Sequence, residues 1–166
     1  MTGGRILRYT AFSTSPAGGN PAGVVLDAAA LSDREMQAIA TDVDYAETAF
    51  VTGTTSDGAV AIRYFSPIAE VPFCGHATVA TAVALVDHGR AQPDSTVVFA
   101  TPVGSVEIRV TRDATGASAA FTSVAPSVRA LAGRDLAAIL DLLGLSNAEL
   151  DPALPPRIAD AGTPHP

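Results

Sequence analysis

The run at residues 79–86 (Val-Ala-Thr-Ala-Val-Ala-Leu-Val) holds only small and apolar side chains with one threonine, and has no charge and no polar face. A helix that is apolar all round is a buried helix. It follows Pro72-Phe73-Cys74-Gly75-His76, where proline suits a helix start and glycine allows a tight bend. The pattern predicts a core helix whose first turn carries Cys74 and His76, with unpaired N–H groups facing whatever anion lies above them. Elsewhere the periodicity is two. Residues 5–12, 22–26, 45–51, 59–65, 96–100, 104–112 and 117–123 read as short strands, separated by Gly/Pro/Asn/Asp loops. One amphipathic helix opens at Ser32, where Ser32 and Glu35 have capping-box spacing, and fades by residues 42–44. Asp57-Gly58 marks a hairpin turn, and Gly89 the end of the buried helix, with His88 beside it as an ordinary C-terminal cation. Six or seven strands, one amphipathic helix and one wholly apolar helix make an α+β protein. A sheet that closes around the apolar helix explains its burial.

From residue 125 the character changes. A Pro-containing linker (125–127) leads to a helix over 134–143, apolar at Leu136, Ile139, Leu140 and Leu143 and stopped by Gly144. A Pro-rich turn and the start of a strand at 157 follow. The expected organisation is a first lobe over 1–124, then a linker helix and a truncated start of a second lobe over 125–166. Leu140 and Leu143 call for a partner surface.

Composition narrows the classes. The net charge is −7, and the chain has no lysine and only scattered arginines. No basic patch exists to displace counterions from a nucleic acid, so nucleic-acid binding is excluded. No apolar run approaches the ~20 residues of a membrane span, and residues 1–5 lack the apolar core of a signal peptide. A single cysteine makes no intrachain disulfide and suits a reducing, cytoplasmic setting.

Few groups have catalytic chemistry. The three histidines (76, 88 and 165) are far apart, and one cysteine two residues from a histidine lacks zinc spacing, so no metal is expected. The phosphate-loop and dinucleotide fingerprints are both absent. Cys74 at a helix start is either a low-pKa thiol or a small buried side chain, and i, i+2 positions there ordinarily point apart. Glu47 shares the strand face of Tyr45, Ala49 and Val51; it is either a solvated strand-end carboxylate or one buried for acid/base work. Asn20, at the tip of Gly18-Gly19-Asn20-Pro21, is either a turn residue or a ligand-holding amide. These groups suit moving a proton beside a carboxylate, with Glu47 and His76 at a helix start.

Four stretches, Gly19-Asn20-Pro21-Ala22, Glu47-Thr48-Ala49-Phe50-Val51, Ile62-Arg63-Tyr64-Phe65-Ser66-Pro67 and Glu70-Val71-Pro72-Phe73-Cys74-Gly75-His76-Ala77-Thr78, occur in the order and spacing of a known family. The chain resembles the PhzF-like isomerases of phenazine (antibiotic) biosynthesis, which share their fold with diaminopimelate epimerase. The resemblance implies two similar lobes, each a barrel-like sheet around a central helix, with the active site between them. It places the acid/base glutamate on Glu47, the helix-start histidine on His76 and substrate contacts on Asn20, Gly75, His76 and Ala77, with Cys74 a possible secondary residue. The implied reaction is a cofactor-free proton shift on a small cyclic carboxylic acid of the dihydro-3-hydroxyanthranilate type. Two departures stand out. Ala46 occupies a position that is often serine in the family, and the second-lobe aspartate has no counterpart among these residues. Two-thiol racemisation needs one cysteine from each lobe, and only Cys74 is available. The resemblance therefore implies a homodimer or a separate chain supplying the second lobe. The alternative is a ligand-binding or assembly module without turnover.

Overall fold

A computed structural model describes residues 5–122, 125–161 and 164–166. It divides into two compact units, one ending at Thr122 and one beginning at Ser123. In the first, strands β1 (Ile6–Ala11) and β2 (Asn20–Val25) form an antiparallel hairpin. Helix α1 (Asp33–Val43) crosses over to β3 (Glu47–Thr54), which lies parallel to β2. Strand β4 (Val60–Phe65) returns antiparallel across the Asp57-Gly58 turn, with a bulge between Val51 and Gly53, and the two-residue β5 (Glu70–Val71) folds back on β4. Helix α2 (Gly75–Asp87) is the second crossover, delivering β6 (Ser95–Thr101) parallel to β4; β7 (Gly104–Asp113) and β8 (Gly116–Phe121) complete a meander. The sheet runs β1-β2-β3-β4-β6-β7-β8, with β5 beside β4.

Helix α2 packs against β1, β2, β3, β7 and β8. One helix touches both ends of a sheet and its middle only if the sheet curls around it. The lobe is thus a sheet wrapped on a central helix, as expected. Small side chains make the wrap close: Ala77, Ala82 and Ala84 are fully buried, among Val24, Ala49, Tyr64, Phe99, Ile108 and Val110. Thr78 and Thr81 are also fully buried, and their hydroxyls donate to the carbonyls of Cys74 and Ala77, four residues back (2.7 Å each). Asp87, the last residue of α2, accepts from the Tyr9 hydroxyl of β1 (3.1 Å) and pairs with Arg112 of β7. Burial, and then the neighbouring carboxylate, push the Tyr9 hydroxyl up to about 12.

Helix α1 covers the opposite face. Met36 and Ala40 meet Val25, Phe50 and Phe65, whose rings contact edge-to-face at 5.5 Å. Both halves of its capping box form: Ser32 N donates to Glu35 (2.8 Å) and Glu35 N to the Ser32 hydroxyl (3.4 Å). Arg63 holds Glu70 of β5 with two bonds and Asp33 of α1 with a third, each 2.7 Å.

The second unit holds β9 (Ser127–Ala130), α3 (Gly133–Leu143), a single 3₁₀ turn (Asn147–Glu149), β10 (Arg157–Asp160) and β11 (Pro164–His165). Its sheet order is β11-β10-β9, and α3 stops at Gly144 in the left-handed conformation.

Several expectations need correction. The curled sheet has eight strands among the described residues, because β5 is too short to show a period. Tyr45 precedes β3, so the strand begins on Glu47. Ser127, expected to end a linker over 125–127, instead opens β9, and residues 127–130 pair with β10. The expected strand end at residue 123 and the segment at residues 162–163 lie outside the described residues.

The Thr48 hydroxyl is fully buried and finds no hydrogen-bond partner among the described residues. It lies against Gly23, where an added Cβ would come within 2.6 Å of it. An orphaned buried hydroxyl costs about 1–3 kcal/mol. Thr48→Val is expected to raise the thermal midpoint, the gain measured by calorimetry corresponding to about 1 kcal/mol; a lowered midpoint would contradict the assignment.

Candidate active site

The chemistry gathers where α2 begins. Cys74 is the residue before the helix and has extended backbone (φ −145°, ψ 108°), with no side-chain cap. Its side chain consequently folds back over the first turn, and Sγ lies 3.2 Å from Nδ1 and 3.9 Å from Nε2 of His76. This corrects two expectations at once: Cys74 is outside the helix, and the thiol and imidazole touch rather than diverge. The parallel pairing of β2 with β3 sets Ala22 opposite Glu47 and brings that carboxylate to the same place. Glu47 Oε2 is 3.5 Å from His76 Nε2, and one ligand atom from each of Glu47, Cys74 and His76 lies within 4.8 Å of the other two.

Burial sorts their roles. His76 keeps only 9% side-chain exposure and Glu47 keeps 24%, so the carboxylate is the member that reaches solvent. Burial holds the imidazole below its ordinary pKa; the Glu47 carboxylate and the Pro21 backbone carbonyl oppose that shift without cancelling it. His76 is therefore neutral near pH 7, and its contact with Glu47 is a dipole–carboxylate contact rather than an ion pair. Burial pushes the Cys74 thiol up to about 12, which overturns the reading of an activated thiol at a helix start. The backbone N–H groups of Ala77 and His76 favour the thiolate, but desolvation outweighs them.

The other expected residues divide. Gly75 starts α2, and an added Cβ would lie 3.1 Å from the Phe121 ring and 3.9 Å from that of Phe73. A side chain there would oblige the Phe121 ring to give by a few tenths of an ångström. Ala77 has a fully buried methyl and offers a ligand only its backbone. Asn20 is the first residue of β2, paired with Ala11, rather than a loop tip; its side chain is exposed two residues before the Glu47 partner, Ala22. Sequence reasoning passed over the Pro21 carbonyl and the aromatic chain Tyr64–Phe73–Phe121, with centroids 6.0 and 6.2 Å apart, that backs the helix start. Phe73, inside the motif, was a visible signal; Phe121 is distant in sequence and gave none.

Comparison with known proteins bears on this arrangement. A family model described as "Phenazine biosynthesis-like protein" matches residues 9–165. An uncharacterised isomerase of Deinococcus radiodurans is 38% identical over 160 residues, 95% of this chain and 51% of that protein. A trans-2,3-dihydro-3-hydroxyanthranilate isomerase of Pseudomonas chlororaphis is 34% identical over 139 residues, 83% of this chain and 48% of that protein. A Bacillus anthracis phenazine biosynthesis protein of the PhzF family superposes with a TM-score of 0.72 at 33% identity, covering 96% of this chain and 53% of that one. The chain spans about half the length of the relatives it matches.

A buried neutral histidine has a consequence for stability. Its folded pKa lies below the ordinary 6.5, so the unfolded chain binds more protons between those two values. Stability is fully present above about pH 6.5 and falls as pH drops through that window. In His76→Gln the urea midpoint should fall less between about pH 7.5 and 5 than in the parent chain; equal falls would show that His76 does not titrate this way.

Proposed function

We propose, from the premise that this chain belongs to the phenazine biosynthesis-like (PhzC-PhzF) family, that it carries the proton-transferring half of an isomerase site for a small cyclic carboxylic acid. The observation that carries the reading is Glu47 Oε2 set 3.5 Å from the buried His76 at the start of α2. Glu47 is the acid/base. Its carboxylate takes a proton from a ring carbon and returns it to another carbon on the same face, so no net proton is gained or lost. His76 orients the carboxylate and, as a neutral imidazole, keeps a lone pair and an N–H available without repelling a proton in transit. Asn20 and the backbone at Gly75 and Ala77 hold the substrate, its carboxylate lying toward the positive end of the α2 dipole. A dihydro-3-hydroxyanthranilate fits this chemistry, as the name of the Pseudomonas chlororaphis relative suggests. Residues beyond these complete the cleft as a second lobe, and the reaction draws on no cofactor.

A second reading is a module that binds a carboxylate without turning it over. The two readings separate in one experiment. Incubated with trans-2,3-dihydro-3-hydroxyanthranilate in D2O, the chain should place deuterium on the ring, read by NMR. Glu47→Gln should slow that exchange by about 10²–10⁴-fold. Exchange retained in Glu47→Gln removes the glutamate from its role, and calorimetric binding without exchange selects the binding module.

A further inference from the structure

We propose that Tyr64 and Thr78 are positioning residues for the Glu47–His76 pair: their hydroxyls form a buried hydrogen-bond chain that fixes the first turn of α2 against the strands that carry Glu47. Both side chains are fully buried. The direction of the chain follows from counting protons, because a hydroxyl has one to give and a carbonyl has none. Thr78 Oγ1 donates to the Cys74 carbonyl (2.7 Å), so its contact with the Tyr64 hydroxyl (2.6 Å) is donated by the phenol. The Thr78 N–H donates to the same carbonyl (3.0 Å), which fills both of its lone pairs. Burial pushes the Tyr64 hydroxyl above its ordinary pKa, so it keeps the proton that the chain needs.

The chain joins the two halves of the site. Tyr64 lies on β4 opposite Ala49 of β3, two residues along the same strand from Glu47. Thr78 follows His76 by two residues, and the carbonyl that it holds precedes His76 by two, so the imidazole is bracketed. Glu47 Oε2 and His76 Nε2, 3.5 Å apart, are beyond normal hydrogen-bond length, so their supports rather than their own attraction set the separation. Packing alone fixes that separation weakly. Near His76 the helix buries Ala77, Ala80 and Ala82, small side chains of one shape, and apolar burial has no direction. A small slide or rotation of α2 therefore costs little, whereas bonds of 2.6 and 2.7 Å weaken steeply on misalignment. Asp87 anchors the far end of α2 to β1 and β7, and the Tyr64–Thr78 chain anchors the end that carries His76.

The main variant is Tyr64→Phe, which removes one hydroxyl, keeps the ring edge-to-face with Phe73 (6.0 Å) and leaves Thr78 donating to Cys74. The first readout is the His76 pKa, followed by NMR titration of the whole chain. Glu47→Gln should lower that pKa in the parent, because the carboxylate favours the protonated ring. In the Tyr64→Phe background the same substitution should lower it less. Thr78→Val should reproduce that loss of coupling, and Thr78→Ser, which keeps the hydroxyl, should restore the parental value. A merely structural role would lower the thermal midpoint and leave the coupling as it was. Equal coupling in the parent and in Tyr64→Phe overturns the inference. The effect on turnover rests on the proposed function: kcat for deuterium exchange in Tyr64→Phe should fall roughly 10–10²-fold with KM nearly constant. An undiminished kcat in an active parent also overturns the inference. A parent that shows no exchange counts against the proposed function alone, and the pKa coupling still decides the role of Tyr64 and Thr78.

Discussion

Helix α2 is enclosed by a curled sheet, and the enclosure dictates what the rest of the lobe can do. Side chains from His76 to Ala82 are buried, so each is apolar or satisfied nearby, as the threonine hydroxyls are by carbonyls one turn back. A helix in that position reaches the outside at its ends and along the strip where Val79, Ala80 and Val83 line an open groove beside β1 and β8, and its N-terminal end carries the positive pole of the dipole. The parallel β2–β3 pairing delivers the one nearby carboxylate to that end. Site and core are therefore a single construction, and the residues around Gly75 serve both. The glycine lets the Phe121 ring approach the start of the helix.

The central architecture was legible in sequence because its signals are local and redundant. Residues 79–86 could be buried only as a core helix, and Ser32 with Glu35 announced α1 before any contact was known. Strand β5 and the extension at residues 127–130 were illegible, since two- and four-residue strands are fixed by the neighbour they pair with rather than by their own pattern. The same rule governs the boundary at Cys74. Its composition suits a helix start, but the extended backbone that turns the thiol inward is a property of the packed structure.

For the site, the identity of Glu47 and His76 came from their residue types and motif context, whereas their mutual distance came only from the fold. Cys74 shows the limit most plainly. A helix N-terminus lowers a thiol pKa and burial raises it, and sequence reveals the first effect while hiding the second. Here burial wins, with the Glu47 carboxylate reinforcing it. The chain belongs to the phenazine biosynthesis-like family, whose model matches residues 9–165.

Asp87 has a further meaning. Among the described residues, no strand pairs along the outer edges of β1 and β8, so the curl is not closed by a backbone ladder. What ties its two sides is a carboxylate on the last residue of α2, held by a phenol from β1 and a guanidinium from β7. The lobe is a clasped ring rather than a continuous one. Its clasp is ionic and half-exposed, hence sensitive to salt, and it sits at the end of the helix opposite Glu47 and His76. Local opening of the lobe can begin at that seam while the N-terminal end of α2 stays packed.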